Sequence, residues 1–297
     1  MFKGSITALI TPFDSTGEID FIAFEKFIEW QIEQGTNGVV PCGTTGESPT
    51  LSHQEHKQLV KRCIDIVNKR IPVIAGTGSN NTTEALEFTR EAKEDGADAA
   101  LVVTPYYNKP TQEGLYAHFK KLHDEVDIPI IIYNIPGRSI VDISVETMAR
   151  LAELPNIIGV KDATADLARP LAIRHAIGED FCQLSGEDAT ATAYLAQGGH
   201  GCISVTSNVA PGLCAKQHEA WQNGDIQTME ECRDKLAPLH EALFVESSPA
   251  PVKYAASALG LCSDNIRLPL VNASDACKEI VDHALEFAGL QQQKLAA

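Results

Sequence analysis

The chain is short of basic charge: 24 lysines and arginines stand against 40 aspartates and glutamates, a net charge of −16. Nucleic acid and anionic membranes both require a positive footprint, so neither is expected as a partner. The eight cysteines, Cys42 to Cys277, are scattered and include no C-x-x-C pair. Metal-ligand spacing is therefore absent, and a disulfide framework does not suit a chain of 297 residues. The opening MFKGSITALITPFDSTG is broken by Thr, Pro and Asp, too short an apolar run for a signal segment or a membrane span. No G-x-G-x-x-G follows the first apolar run and no G-x-x-x-x-G-K-[ST] occurs, which removes the dinucleotide and nucleotide-phosphate fingerprints. What remains is a chain of ordinary globular composition, 44% hydrophobic and 22% charged. A reduced, cytoplasmic, enzyme-sized protein is the expectation.

Eight short apolar runs punctuate that chain: SITALI from Ser5, NGVVP from Asn37, IPVIAG from Ile71, DAALVV from Asp98, IPIIIY from Ile128, NIIGVK from Asn156, FCQLSG from Phe181 and GCISV from Gly201. Between them lie segments such as FIAFEKFIEWQIEQG, whose apolar residues recur at three- and four-residue steps, the helix period. Apolar strands alternating with helices imply parallel strands buried on both faces. Eight such units in about 220 residues fit an α/β fold of the (β/α)8 TIM barrel type. After Asn223-Gly224 only helical patterns follow. The expected division is 1–224, a barrel carrying the active site, and 225–297, a C-terminal helical appendage. The last residues, QQQKLAA, are expected to fray.

In such a barrel the chemistry collects where strands end. The sixth run, IIGVKD, ends in Lys161, and strand alternation puts Ile157, Gly159 and Lys161 on one face with Ile158 and Val160 on the other. If Ile158 and Val160 face the helices, Lys161 lies inside the barrel mouth, with Gly159 below leaving room for it. Burial of an amine favours its neutral form, a nucleophile for carbonyl carbon, so Schiff-base chemistry is the natural reading. On strand position alone, a lysine paired with Asp162 or Glu187 fits as well. Tyr133 ends the neighbouring run and puts a phenol beside the amine, suited to proton transfer. Thr44 and Thr45, in the tight loop from Gly43 to Gly46, offer hydroxyls and N–H groups to a small carboxylate; taken alone the loop is equally a plain turn. Arg138 supplies a guanidinium fork for a second carboxylate, or stands as a solvated loop arginine. Cys42 reads as a small apolar residue near a strand end.

With those residues in place, the chain resembles the dihydrodipicolinate synthase family of class I pyruvate-dependent aldolases. The likeness runs through ALITPF, GTTGES, PVIAGTGSN, VVTPYYNKP, YNIPGRS, IIGVKDAT, LSGED and GCISVTSN, and in the tail through LFVESSPAPVKYA and IRLPL. It implies that Lys161 forms an imine with pyruvate, whose enamine condenses with L-aspartate 4-semialdehyde to give 4-hydroxy-tetrahydrodipicolinate for lysine and diaminopimelate biosynthesis. Tyr133, Thr44 and Tyr107 match the family's proton-relay triad, Tyr107 reaching in from a neighbouring subunit. Thr45 matches a contact to the pyruvate carboxylate, and Arg138 one to the semialdehyde carboxylate. Gly186 and Ile203 match positions whose backbone lines the site. No metal and no organic cofactor is implied, because the lysine is itself the electron sink. Ser48, Pro49, His53, His56, Asn80, Glu84 and Tyr106 match a site for L-lysine as feedback inhibitor. His53 and His56, three apart on one helix, are expected to share a face, and Pro49 keeps a carbonyl acceptor. The likeness also implies a homotetramer, a dimer of dimers. N-acetylneuraminate lyases share the lysine and tyrosine but usually lack the arginine and favour Ser-Thr in the loop, so Thr44-Thr45 with Arg138 favours the synthase. A non-catalytic keto-acid sensor is the reading from another class.

Overall fold

Each apolar run becomes a strand in the computed structural model, which describes residues 1–290; the terminal QQQKLAA lies outside the described residues. The strands are β1 Gly4–Ala8, β2 Gly38–Val40, β3 Ile74–Gly76, β4 Ala99–Val103, β5 Ile130–Asn134, β6 Ile157–Asp162, β7 Cys182–Ser185 and β8 Gly201–Ser204. Between and after them come α1 Phe21–Glu33, α2 His53–Val67, α3 Thr82–Asp95, α4 Gln112–Glu125, the short α5 Pro136–Ser139, α6 Val145–Ala152, α7 Arg169–Ile177, α8 Ala191–Ala196 and α9 Pro211–Gln222. The C-terminal helices are α10 Ile226–Ala242, α11 Ala250–Ala258 and α12 Asp275–Phe287. The eight strands form one sheet in the order β2-β1-β8-β7-β6-β5-β4-β3. Pairing is parallel between β1 and β2 and along the series from β3 to β8. Sequence neighbours being sheet neighbours, this is a (β/α)8 barrel with helices appended at its C-terminal end.

Local chemistry sets the helix limits. Ser52 and Glu55 form a reciprocal capping box at the start of α2. The Asp20, Asn81 and Asp225 side chains cap α1, α3 and α10. Gly96, at φ 97°, ends α3 in the left-handed conformation that a side chain would resist.

Two compact units are built from separated stretches: Met1–Gly4 with Pro72–Ile203, and Ser5–Ile71 with the residues from Ser204 onward. In the first, Ile130, Ile132 and Val160 of β5 and β6 pack with Leu115 and Phe119 of α4, Met148 and Leu151 of α6, and Ile173 of α7. Ile157 belongs to that same cluster, which departs from strict alternation. The reason is a register shift at Ile130/Ile131: Ile130 pairs with Ile157, whereas Ile131 pairs with Gly159. Two residues of β6 thus oppose a single step of β5, a bulge that turns Ile157 toward the helices. Beyond the bulge alternation resumes, and Lys161 lies on the face opposite Val160.

Candidate active site

In the first unit, the β5–β6 register sets Tyr133 directly beside Lys161. The Lys161 amine lies 4.2 Å from the centroid of the Tyr133 ring, over its face, where the ring quadrupole attracts a cation. Both residues are buried, Lys161 at 5% exposure. Among the described residues neither Asp162 nor Glu187 forms an ion pair with it. Asp162 turns instead to Arg169, whose Nε lies 3.0 Å from its carboxylate, and accepts from the Thr164 N–H at 2.8 Å. Burial pushes the Asp162 carboxyl above the usual range, against the opposing pull of the Thr164 hydrogen bonds and the Arg169 charge. Lys161 therefore keeps its amine on an aromatic face rather than in a salt bridge.

Gly159 has a different cause from the one its position suggested. A Cβ there would lie 2.3 Å from the Cys182 carbonyl oxygen on β7, so glycine is required by strand spacing. Room beside the lysine is made by Gly186, where a Cβ would stand 3.1 Å from Lys161 Cε. The Gly186 N–H donates to the Asp162 carbonyl at 2.7 Å. Ile203, on β8, is fully buried. Arg138, in α5, is exposed. Tyr107 is 91% exposed and sits at φ +65°. Lys161, Tyr133 and Gly186 are thus gathered at one point, while Tyr107 and Arg138 stand at the surface.

The same unit gathers three residues of the expected lysine site. Burial raises the Tyr106 phenol, the Glu84 charge adds to that shift, and a backbone hydrogen bond at Asn80 opposes it. Ser79 Oγ donates a short hydrogen bond to the Glu84 carboxylate, and Asn108 Nδ2 donates to the Asn80 carbonyl at 2.8 Å.

In the second unit, the chain leaves β2 through the Gly43–Gly46 turn. Gly46 N–H donates to Gly43 O and Glu47 N–H to Thr44 O, each at 3.1 Å. Thr45 is buried and Thr44 half-buried. A Cβ on Gly46 would meet Leu9 O at 3.0 Å, so the turn is seated closely on the chain after β1. Ser48–Thr50 form a 3₁₀ turn with Pro49 exposed. His53 and His56 lie three apart on α2, where His53, the first residue, is exposed and His56 is buried.

Sequence reasoning missed two ion pairs beside this turn, one fully buried and one half-buried. Lys253 donates to Glu47 Oε1 at 2.7 Å, with both side chains at 0% exposure. Arg267 pairs with Glu55 at 2.5 Å. The one available signal was that Lys253 and Arg267 lie in the tail segments PAPVKYA and IRLPL, which matched the family without a role.

A (β/α)8 barrel that holds a buried amine beside a phenol at the ends of adjacent strands has the frame of an enzyme, since such barrels carry their chemistry at the strand ends. Residues 1–288 match the dihydrodipicolinate synthetase family. The chain is 67% identical over 290 residues to the 4-hydroxy-tetrahydrodipicolinate synthase of Rhodospirillum centenum, covering 98% of this chain and 99% of that one. Among solved structures, the chloride-inhibited dihydrodipicolinate synthase of Acinetobacter baumannii, complexed with pyruvate, superposes with a TM-score of 0.95 at 49% identity, covering 98% and 100% of the two chains. The lysine-bound enzyme of Cyanidioschyzon merolae gives a TM-score of 0.94 at 37% identity, covering 97% and 99%. The chain belongs to the dihydrodipicolinate synthetase family. It is an enzyme of that family, a lyase of lysine and diaminopimelate biosynthesis. No helix among the described residues is long and apolar enough to cross a membrane.

Proposed function

We propose that the protein condenses pyruvate with L-aspartate 4-semialdehyde through a Schiff base on Lys161. The observation that carries this reading is the buried Lys161 amine, held over the Tyr133 ring at 4.2 Å with no carboxylate partner among the described residues. The amine attacks the keto carbon of pyruvate, and loss of water leaves the imine. Removal of a methyl proton gives the enamine, whose carbon attacks the aldehyde. The substrate amine then adds to the imine carbon and displaces Lys161, closing the ring of 4-hydroxy-tetrahydrodipicolinate. Each step moves a proton, the role assigned to Tyr133, Thr44 and Tyr107. An outward-facing Tyr107 at 91% exposure suits a side chain that serves a neighbouring subunit, in a homotetramer arranged as a dimer of dimers. Thr45 holds the pyruvate carboxylate and Arg138 that of the semialdehyde, with the Gly186 and Ile203 backbone lining the site. The pyruvate-bound relative from A. baumannii supports the first substrate. Free cysteines throughout the described residues suit a reducing cytoplasm.

L-Lysine is the proposed inhibitor, bound by Ser48, Pro49, His53, His56, Asn80, Glu84 and Tyr106. The lysine-bound relative from C. merolae supports this, as does the proximity of Glu84, an acceptor for an ammonium group, to Tyr106. Because Tyr106 adjoins Tyr107, a ligand on the first displaces the backbone of the second. Reduction with borohydride in the presence of pyruvate tests the chemistry. A pyruvyl-derived mass on the Lys161 peptide is expected, and an unmodified peptide refutes the Schiff base. Turnover of N-acetylneuraminate in place of the semialdehyde would reassign the second substrate.

A further inference from the structure

The tail segments PAPVKYA and IRLPL have no part in the chemistry above, yet both converge on Glu47, the residue that closes the Thr44–Thr45 turn. Lys253, from the first segment, donates to Glu47 Oε1 at 2.7 Å and to the Thr11 carbonyl at 2.9 Å. The Arg267 backbone N–H, from the second, donates to Glu47 Oε2 at 3.1 Å. Phe13 offers its ring to both cations, at 4.3 Å from each. Thr11 closes the circuit, its hydroxyl donating to the Gly46 carbonyl at 2.7 Å. Thr50 Oγ1 donates to the Glu47 carbonyl at 3.0 Å. All of these contacts lie within the second compact unit.

Two features argue that the pair serves geometry more than stability. Two fully desolvated charges are seldom more stabilising than apolar residues of the same volume, so stability alone does not explain an ion pair at 0% exposure. Glu47 also has φ +57°, a left-handed conformation disfavoured for a side-chain-bearing residue. A backbone in that state persists only where its surroundings over-determine it. Here both carboxylate oxygens and the carbonyl of Glu47 are held, and the next carbonyl upstream, that of Gly46, is held by Thr11.

We propose that the Lys253–Glu47 pair is a positioning device for the reaction: it fixes the Gly43–Glu47 turn so that Thr45 and Thr44 meet the keto acid in a productive orientation. The inference rests on the role of Thr45 in binding pyruvate and deepens it by tying that role to α11. Glu47 and Lys253 touch no substrate. A loosened turn weakens the hold on pyruvate and slows proton transfer, and it leaves the semialdehyde, held by Arg138, unaffected.

The test uses the full-length enzyme and two variants, Glu47→Gln and the doubly neutral Glu47→Gln/Lys253→Met, with melting curves to establish folding. A folded variant is expected to show a pyruvate KM raised about tenfold, the worth of one well-placed hydrogen bond, with a lowered kcat. Its KM for the semialdehyde stays within twofold of wild type. The double variant carries the test if Glu47→Gln does not fold, since it leaves no unpaired buried charge. Wild-type pyruvate KM in a folded variant overturns the inference, and so does an equal rise in both KM values. Unfolding of both variants assigns the pair to stability and overturns it too. Borohydride trapping on the wild type separates the two levels: absence of the Lys161 adduct refutes the Schiff-base reading itself, whereas an adduct with unaltered variant kinetics refutes only the positioning role.

Discussion

Replacing Gly159 with alanine adds one methyl group where β6 lies close against Cys182 of β7. The new Cβ would fall 2.3 Å from Cys182 O, 2.7 Å from Cys182 Cβ and 3.0 Å from its carbonyl carbon. Contacts of this kind need roughly 3.5 Å, so the strands must separate by about an ångström. The obstacle is backbone, which cannot swing aside as a side chain does. Overpacking of this sort costs about 1–3 kcal/mol, and weakening a ladder hydrogen bond adds about 1 kcal/mol. The expected loss is therefore about 2–4 kcal/mol, or a melting temperature lowered by roughly 3–6 °C in a chain of this size. The same displacement moves Lys161, two residues along β6 and paired with Leu184. Thermal unfolding followed by circular dichroism reads the first effect, and the rate of borohydride trapping with pyruvate reads the second. Gly137→Ala is the control, because nothing lies within 4 Å of its added Cβ, and it should melt within about 2 °C of wild type. A Gly159→Ala enzyme that melts and traps pyruvate as wild type does would refute the strand-spacing argument.

The Arg267 guanidinium beside Glu55 holds its carboxyl at about 2. A depressed carboxylate contributes stability above its unfolded value, near 4.3, and loses it as pH falls toward 2. With the two side chains 19% and 21% exposed, solvent screening reduces the contribution to about 1–2 kcal/mol. Glu55→Gln should be less stable than wild type by that amount at pH 7, with the gap narrowing below pH 4; a gap independent of pH refutes the linkage. His118 is buried, and burial lowers its imidazole to about 4. The unfolded chain then binds the extra proton between about pH 6.5 and 4, so stability falls with acidification through that window by up to about 3 kcal/mol. His118→Phe should flatten that part of a urea-midpoint-against-pH profile, and an unchanged slope would point to other groups. L-Lysine at millimolar concentration should inhibit the wild type, and Glu84→Ala should relieve that inhibition at least tenfold; full wild-type activity in millimolar lysine removes the proposed regulatory site.

The eight strands were legible because a parallel strand buried on both faces has to be a continuous apolar run, and IIGVKD or IPIIIY admits few other readings. Lys161 was legible for the complementary reason, being a charge where the pattern demands an apolar residue. Pairing with Tyr133 followed from adjacency of sequential strands. The bulge that turns Ile157 toward the helices was hidden, because a register shift depends on two strands at once and neither sequence carries it alone. The purpose of Gly159 was misread for the same reason: the group it must avoid belongs to β7. The ion pairs at Glu47 and Glu55 were the least legible, because charge complementarity across such distances leaves no local pattern.

Glu47 and Lys253 are separated by 206 positions, and this sets an order of events during synthesis. At roughly 5–20 residues per second, the ribosome delivers the lysine about 10–40 s after the glutamate. Through that interval the carboxylate has no cation to follow it into the interior, and desolvating it alone is prohibitive. The turn that bears Thr44 and Thr45 is thus among the last parts of the chain to set, although it is among the first to be made. A nascent or truncated chain that ends just before α11 carries all eight barrel strands and still lacks the cation on which the Glu47 carboxylate closes.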